Sequence, residues 1–320
     1  RPSYLRLGEM IEAFNIPQVC AFTATATQHV REDIIKQLRR PEMTLHVAGF
    51  KRPNLAFSVV HTGGTEQKNA FIRKLLAKKR VPTIIYTSTR KAVEQLQDEF
   101  KCIAYHAGMS DSERTDAQDR FMNESCPVLV ATNAFGMGID RPDVRRVIHY
   151  NIPGSIEAYY QEAGRAGRDG ESADCILLFS PGDITTAKYL ILNQTENDEL
   201  TDEERQAVQA QDLIRLEQMT GYCKTTGCLR GYLLDYFGQP HEKTCGNCGN
   251  CLAEYETRDL TREAQMILSC VVRARNRLGY CVGASILSQT LHGGRSARVR
   301  ELGLDLLPTY GLMSALPGAQ

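Results

Sequence analysis

The run QEAGRAGRDG at 161–170 sets two arginines three residues apart between glycines. Paired guanidinium groups suit a polyphosphate, because arginine recognises oxyanions in a bidentate, planar way. Read as one continuous helix over 156–168, the spacing puts Gln161, Gly164, Arg165 and Arg168 on one face. Gly164 and Gly167 each cost such a helix about 1 kcal/mol against alanine, which implies close approach to a neighbouring surface or ligand. A second cluster is CGNCGNC at 245–251, two overlapping CxxC spacings, with Cys228 on an apolar helix 17 residues upstream. Cys228, Cys245, Cys248 and Cys251 can close a tetrahedral structural zinc site. Cys223 and His241 are rival fourth ligands, and an iron–sulfur centre is the alternative for four cysteines.

Three weaker signals share a form: an apolar strand that opens into small and polar residues. VLVATNAFGMGIDRP at 128–142 carries Thr132, Asn133, Gly136, Gly138 and Asp140 beyond its strand. TIIYTSTRKAVEQL at 83–96 and AYHAGMSDSER at 104–114 bring Thr87, Ser88, Arg90, His106 and Gly108 to one rim of a sheet. Hydroxyls, helix N-termini and arginine are frequent contacts of a nucleic-acid backbone, although Ser88 and Ser110 also read as ordinary helix caps. Arg52 and Asn54, in FKRPNL, join that rim or serve as turn residues. AFTATAT at 21–27 ends a strand in three threonines.

The elements that must position these residues follow from the hydropathy pattern. Strands are expected at 19–22, 44–48, 55–60, 83–86, 102–105, 128–131, 146–150 and 175–179. Helices are expected at 3–14, 28–40, 66–79, 89–99, 111–123 and 156–168. Apolar strands alternating with amphipathic helices specify a mainly parallel α/β sheet covered on both faces, with ligands beyond the carboxyl ends of its strands. After PGDI at 181–184 the pattern becomes helical: 183–194, 202–222 and 261–277.

Composition bounds the rest. The 320 residues, 42% apolar and 24% charged, are globular values and suggest about two domains. Equal numbers of basic and acidic residues, 38 each, remove the simplest case for a nucleic-acid binder but leave room for a local basic channel. No stretch of 18 apolar residues occurs. Eleven cysteines in a chain of this length fit a reducing compartment with one metal site better than a disulfide framework.

Taken in order, TAT, RPN, YHAG, ATNAFGMGID and QEAGRAGRDG resemble motifs III to VI of superfamily 2 helicases, and the AFGMGID and YYQEAGRAGRDG wording resembles the RecQ family in particular. The resemblance covers nearly the whole chain. It implies a RecA-like sheet, then a helical zinc-binding module, then a truncated winged-helix domain. The implied divisions are 1–40, the end of a first motor domain; 41–182, the second motor domain; 183–255, the zinc module; and 256–320, part of a winged helix.

The resemblance further implies an ATP-dependent DNA helicase moving 3′ to 5′, acting in recombination and repair, with ATP, Mg²⁺ and structural Zn²⁺ as cofactors. Carried over by position, Arg165 and Arg168 are the motif VI pair, with Arg168 favoured as the finger on the γ-phosphate, and Gln161 is the motif VI glutamine. Gly138 and Asp140 lie near the nucleotide. Arg52, Asn54, Thr87, Arg90, His106 and Thr132 track the DNA strand, and Thr25 couples hydrolysis to DNA. Cys228 becomes the fourth zinc ligand and Cys223 the spare.

The chain departs from the family in one respect. It has no GxxxxGK[ST] phosphate loop, since GGTEQKN at 63–69 has the wrong spacing, and no DExH carboxylates. The expectation is that it begins inside the first motor domain and cannot hydrolyse ATP alone, although its parent can. Residues 256–320 hold eight arginines against five acidic residues and are expected to contact duplex DNA. Single-stranded and duplex DNA are the expected partners, without a membrane. The expected location is cytoplasmic and nucleoid-associated in a bacterium, or nuclear in a eukaryote. A non-catalytic zinc and DNA-binding fragment or paralogue, and a superfamily 2 RNA helicase, are the alternatives.

Overall fold

The computed structural model describes residues 6–136, 140–193, 201–254 and 259–315. In chain order the elements are α1 (Leu7–Ala13), α2 (Gln28–Gln37), β1 (Leu55–His61), α3 (Thr65–Lys78), β2 (Thr83–Tyr86), α4 (Arg90–Phe100), β3 (Ile103–Tyr105), α5 (Asp111–Asn123), β4 (Val128–Ala131), β5 (Arg146–His149), α6 (Ile156–Ala163), β6 (Ala173–Phe179), α7 (Pro181–Leu192), α8 (Asp202–Lys224), α9 (Leu229–Tyr236), α10 (Gly249–Leu252), α11 (Thr261–Leu278), α12 (Ala284–Leu291) and α13 (Ala297–Glu301). They form two compact units that divide between Ala253 and Glu254.

In the first unit the six strands pair in the order β1-β6-β5-β2-β4-β3, and every pairing is parallel. The period of two sorts neighbouring residues onto opposite faces. Ile84, Leu129, Val147 and Cys175 enter one core; Ile85, Val130, Ile148 and Ile176 enter the other. Helices cover both cores, so the chain is α/β with a RecA-like parallel sheet. The first core runs on without a break into Leu216, Met219 and Tyr222 of α8 and Leu229, Leu233 and Phe237 of α9 or just past it. The helical module is therefore packed on the sheet.

The module also covers the edge strand β1. Arg230 Nη2 donates to the carbonyls of Pro53 (3.2 Å) and Leu55 (2.6 Å). Asn247 Nδ2 donates to the same two oxygens at 3.1 and 3.4 Å. An uncovered edge would leave such groups open to another chain.

Three expectations need correction. Runs 19–22 and 44–48 are not strands. A strand needs a neighbour for its backbone groups, and among the described residues neither run is paired in a sheet; Phe22 is 94% exposed. The helix expected over 156–168 ends at Ala163. Gly167 takes a left-handed φ of +53° and its N–H donates to Val144 O at 2.9 Å, which turns the chain toward β6. Gln161, Gly164, Arg165 and Arg168 therefore do not share one helical face.

The second unit packs α11, α12, α13 and the 3₁₀ turn Leu304–Leu306 around Ala274, Val299 and Leu304. Among the described residues no helix is long and apolar enough to cross a membrane.

Candidate functional site

The arginine turn, 164–170, follows α6 and leads into β6. Arg165 Nη1 donates to Gly136 O at 2.6 Å. A Cβ on Gly136 would meet Arg165 Nη2 at 2.4 Å, so glycine is required there for the guanidinium to come this close. Tyr86, whose phenol donates to Phe135 O at 3.1 Å, lies beside the same guanidinium. Burial pushes that phenol's pKa up, against the opposing pull of Arg165. Arg168 Nη1 pairs with Asp140 Oδ1 at 2.7 Å, with side-chain exposures of 36% and 84%. Gln161 Nε2 donates to Thr25 Oγ1 at 2.6 Å, which ties α6 to the segment before α2. Gly138 lies outside the described residues.

Arg52 and Asn54 do not lie on the carboxyl rim; as in the alternative reading they belong to a turn, closed by the Leu55 N–H on Arg52 O at 3.2 Å. They precede β1, at the amino ends of the parallel strands, whereas Thr87, His106 and Thr132 follow β2, β3 and β4 at the carboxyl ends. Their side chains grip the arginine turn from below. Arg52 Nη2 donates to Ala166 O (2.9 Å) and Gly167 O (3.0 Å), and Nη1 to Gly164 O (3.4 Å). Asn54 Nδ2 donates to Gly167 O (2.8 Å) and Glu171 O (2.9 Å). A cation at orphan carbonyls after a helix is favourable on both hydrogen-bonding and dipole grounds. A Cβ on Gly167 would meet Asn54 Nδ2 and Glu171 O at 2.6 Å each.

The carboxyl rim brings Thr87, Arg90, His106 and Thr132 to one side of the sheet. His106 Nδ1 accepts from Gly108 N at 3.1 Å, and its Nε2 lies 3.8 Å from Glu94. Beside Gly108 lies Arg90, with Nη1 3.3 Å from the place a Cβ would take. The Thr87 hydroxyl donates to Asn151 Oδ1 at 2.8 Å. Asn151 in turn donates to Asp183 at 2.9 Å. Asp183 accepts from buried Lys68 at 2.7 and 2.8 Å and from Ser180 N at 2.7 Å, and Lys68 also donates to Tyr150 O at 2.6 Å. Burial lowers the Lys68 pKa, against the raising effect of Asp183. Sequence reasoning missed this network. Lys68 and Asp183 lie 115 residues apart, and the only local sign was the Ser-Pro-x-Asp start of α7.

The cysteine centre is complete. The sulfurs of Cys228, Cys245, Cys248 and Cys251 lie within 4.8 Å of one another. Four Zn–S bonds of about 2.3 Å in a tetrahedron put sulfurs about 3.8 Å apart. The donor set and its spacing fit one Zn²⁺ ion. Cys228 Sγ accepts from Gly231 N (3.3 Å), and Cys248 Sγ from Leu229 N and Cys251 N (3.4 Å each). Such donors stabilise thiolates and orient metal ligands. Burial opposes ionisation of Cys248, but those two N–H donors and the neighbouring thiols bring it down to about 7. His241 is not a ligand, because its Nε2 pairs with Asp235 at 2.9 Å and its Nδ1 meets Glu242 O at 2.6 Å. Cys223 is buried outside the cluster, its thiol pushed up to about 12 by burial.

Three family models match the chain in succession: the helicase conserved C-terminal domain over 67–170, the RecQ zinc-binding domain over 181–252 and the RQC domain over 254–320. The ATP-dependent DNA helicase RecQ of Bacillus subtilis is 42% identical over 98% of this chain and 51% of its own length. The protein of the same name from Pasteurella multocida is 32% identical over 98% of this chain and 48% of its own length. A mouse protein, bifunctional 3′-5′ exonuclease/ATP-dependent helicase WRN, is 35% identical over 94% of this chain and 23% of its own. The chain thus spans about half the length of the bacterial relatives. With the motif order, the parallel sheet and the four-cysteine centre in agreement, the chain belongs to the RecQ helicase family and covers that family's C-terminal helicase, zinc-binding and RQC regions.

Proposed function

We propose that this chain supplies the second motor lobe, structural zinc module and start of the winged-helix domain of an ATP-dependent 3′–5′ DNA helicase acting in recombination and repair. In this reading 1–40 ends a first motor lobe, 41–182 is the second, 183–255 the zinc module and 256–320 the winged-helix portion. The observation that carries it is the arginine turn: two guanidiniums presented on a backbone locked by Arg52, Asn54 and Gly167. Arg168 is the finger. Its surface pair with Asp140 is worth under about 1 kcal/mol, so a triphosphate displaces the carboxylate readily. Arg165, fixed on Gly136 O, stabilises the charge that builds on the transferred phosphoryl group. Gln161, through Thr25, ties the turn to the first lobe.

ATP and Mg²⁺ have only a partial set of partners here. The chain offers arginines for the γ-phosphate, while the phosphate loop and the carboxylates for Mg²⁺ belong to another lobe. The chain alone is therefore inactive as an ATPase. On the carboxyl rim, Thr87, Arg90, His106 and Thr132 contact single-stranded DNA, and the arginines of α11 and α13 contact duplex phosphates. Such a protein works where chromosomal DNA is, in the cytoplasm of a bacterium or the nucleus of a eukaryote.

The test uses the native-length protein. Arg168→Ala should lower DNA-stimulated ATPase kcat about 10³-fold or more with DNA binding retained. Unwinding of 3′-tailed but not 5′-tailed duplexes checks the polarity. Near-normal ATPase in that variant, or robust DNA-stimulated ATPase from these 320 residues alone, would overturn the reading.

A further inference from the structure

Segment 50–55, which ends in a turn closed by the Leu55 N–H on Arg52 O, is held on two sides at once. Its odd-numbered carbonyls belong to the metal module: Pro53 O and Leu55 O each accept from Arg230 and Asn247. Its even-numbered side chains belong to the arginine turn, with Arg52 and Asn54 on the carbonyls of residues 164, 166, 167 and 171. Phe50 also touches both sides, though without that alternation. Its ring stacks on Phe237 at 4.3 Å and meets Tyr160 edge-on at 5.7 Å. Its N–H donates to Gln239 Oε1 at 2.7 Å, and its carbonyl accepts from the Tyr160 hydroxyl at 2.6 Å.

The residues that grip this segment from the metal side are placed by the ligands themselves. Asn247 lies between Cys245 and Cys248, and Arg230 comes two residues after Cys228. Both must be in register for the carbonyls of 53 and 55 to be met. A shift there moves Arg52 and Asn54, since Pro53 lies directly between them in a turn closed by the Leu55 N–H on Arg52 O at 3.2 Å.

We propose that the metal centre positions the arginine turn through segment 50–55, with Arg230 and Asn247 as positioning residues on the metal side and Arg52 and Asn54 on the turn side. The zinc site then sets the aim of the guanidiniums as well as the stability of its own module. The catalytic consequence rests on the reading of Arg165 and Arg168 given above; the mechanical coupling does not.

Amide hydrogen exchange on this chain tests the coupling. The amides of Gly167, Asp169 and Gly170 are bonded to Val144, Pro142 and Gly167 carbonyls. In Asn247→Ala and in Asn54→Ala, with one zinc per chain confirmed, exchange across 164–171 should rise about tenfold, while the amides of β2 and β4 hold their rates. Arg52→Lys, at a side chain that bonds the carbonyls of 164, 166 and 167, should give the same pattern; if Asn247→Ala loses zinc, Arg52→Lys and Asn54→Ala report the turn side and Arg230→Lys, with zinc retained, the metal side. Unchanged exchange at 164–171 in metal-side variants that keep their zinc would overturn the proposal. In the native-length protein, Asn247→Ala should lower ATPase kcat about tenfold with KM for ATP and zinc content unchanged. If Arg168→Ala leaves ATPase intact there, the arginine reading fails while the exchange result still decides the coupling.

Discussion

The cysteine centre and the arginine turn solve opposite problems. The centre is finished within this chain: four sulfurs converge, backbone N–H groups orient two of them, and one ion satisfies the set. The turn is finished only as a scaffold. Its backbone is held by side chains from more than 100 positions earlier in the chain, while Arg168 keeps a solvent-exposed partner. A site that serves folding closes on itself; a site that serves a ligand is rigid in backbone and open at the tips.

Each half of that contrast can be broken separately. The largest effect belongs to the centre. Structural zinc of this kind contributes about 10–16 kcal/mol of apparent binding energy, so Cys248→Ser or strong chelation should abolish the cooperative thermal transition of the first unit and the bound zinc together. A metal-free chain with an unchanged melting curve would erase the distinction. Next comes Lys68→Met, which strands the Asp183 carboxylate in the interior and should cost about 3–5 kcal/mol in urea unfolding. Adding Asp183→Leu should recover only part of it, because Asn151 Nδ2 and the Ser180 N–H then lose their acceptor. Gly167→Ala is milder: a left-handed φ and a Cβ at 2.6 Å from Asn54 should cost about 1–3 kcal/mol, and should speed exchange in the turn more than in the sheet. The smallest effect is expected at Arg298→Ala, whose exposed pair with Glu301 should be worth under about 1 kcal/mol. If that substitution matched Gly167→Ala in the melting curve, backbone strain at the turn would be the wrong account.

How much of this is legible in the sequence depends on range. TIIY, VLVA and the helix over 111–123 could be read to the residue, because central strands are apolar on both faces and Ser110 with Glu113 forms a reciprocal cap. The four cysteines were legible because metal ligation imposes local spacing. The end of α6 was not, since nothing near 163 announces that Arg52 and Asn54 will take the carbonyls of 164, 166, 167 and 171. The same holds for Lys68 and Asp183, a pair joined only by the sheet's topology. At 19–22 and 44–48 the residues have strand-like composition, but composition cannot supply a neighbouring strand.

The cover over β1 has one more consequence. Four hydrogen bonds from Arg230 and Asn247 occupy two backbone oxygens through which a sixth parallel pairing could begin. Release of the metal would uncap them, turning a closed border into a template on which a second polypeptide could dock strand against strand. Loss of the ion should therefore be seen first as self-association, with light scattering rising at protein concentrations where the loaded form stays monodisperse.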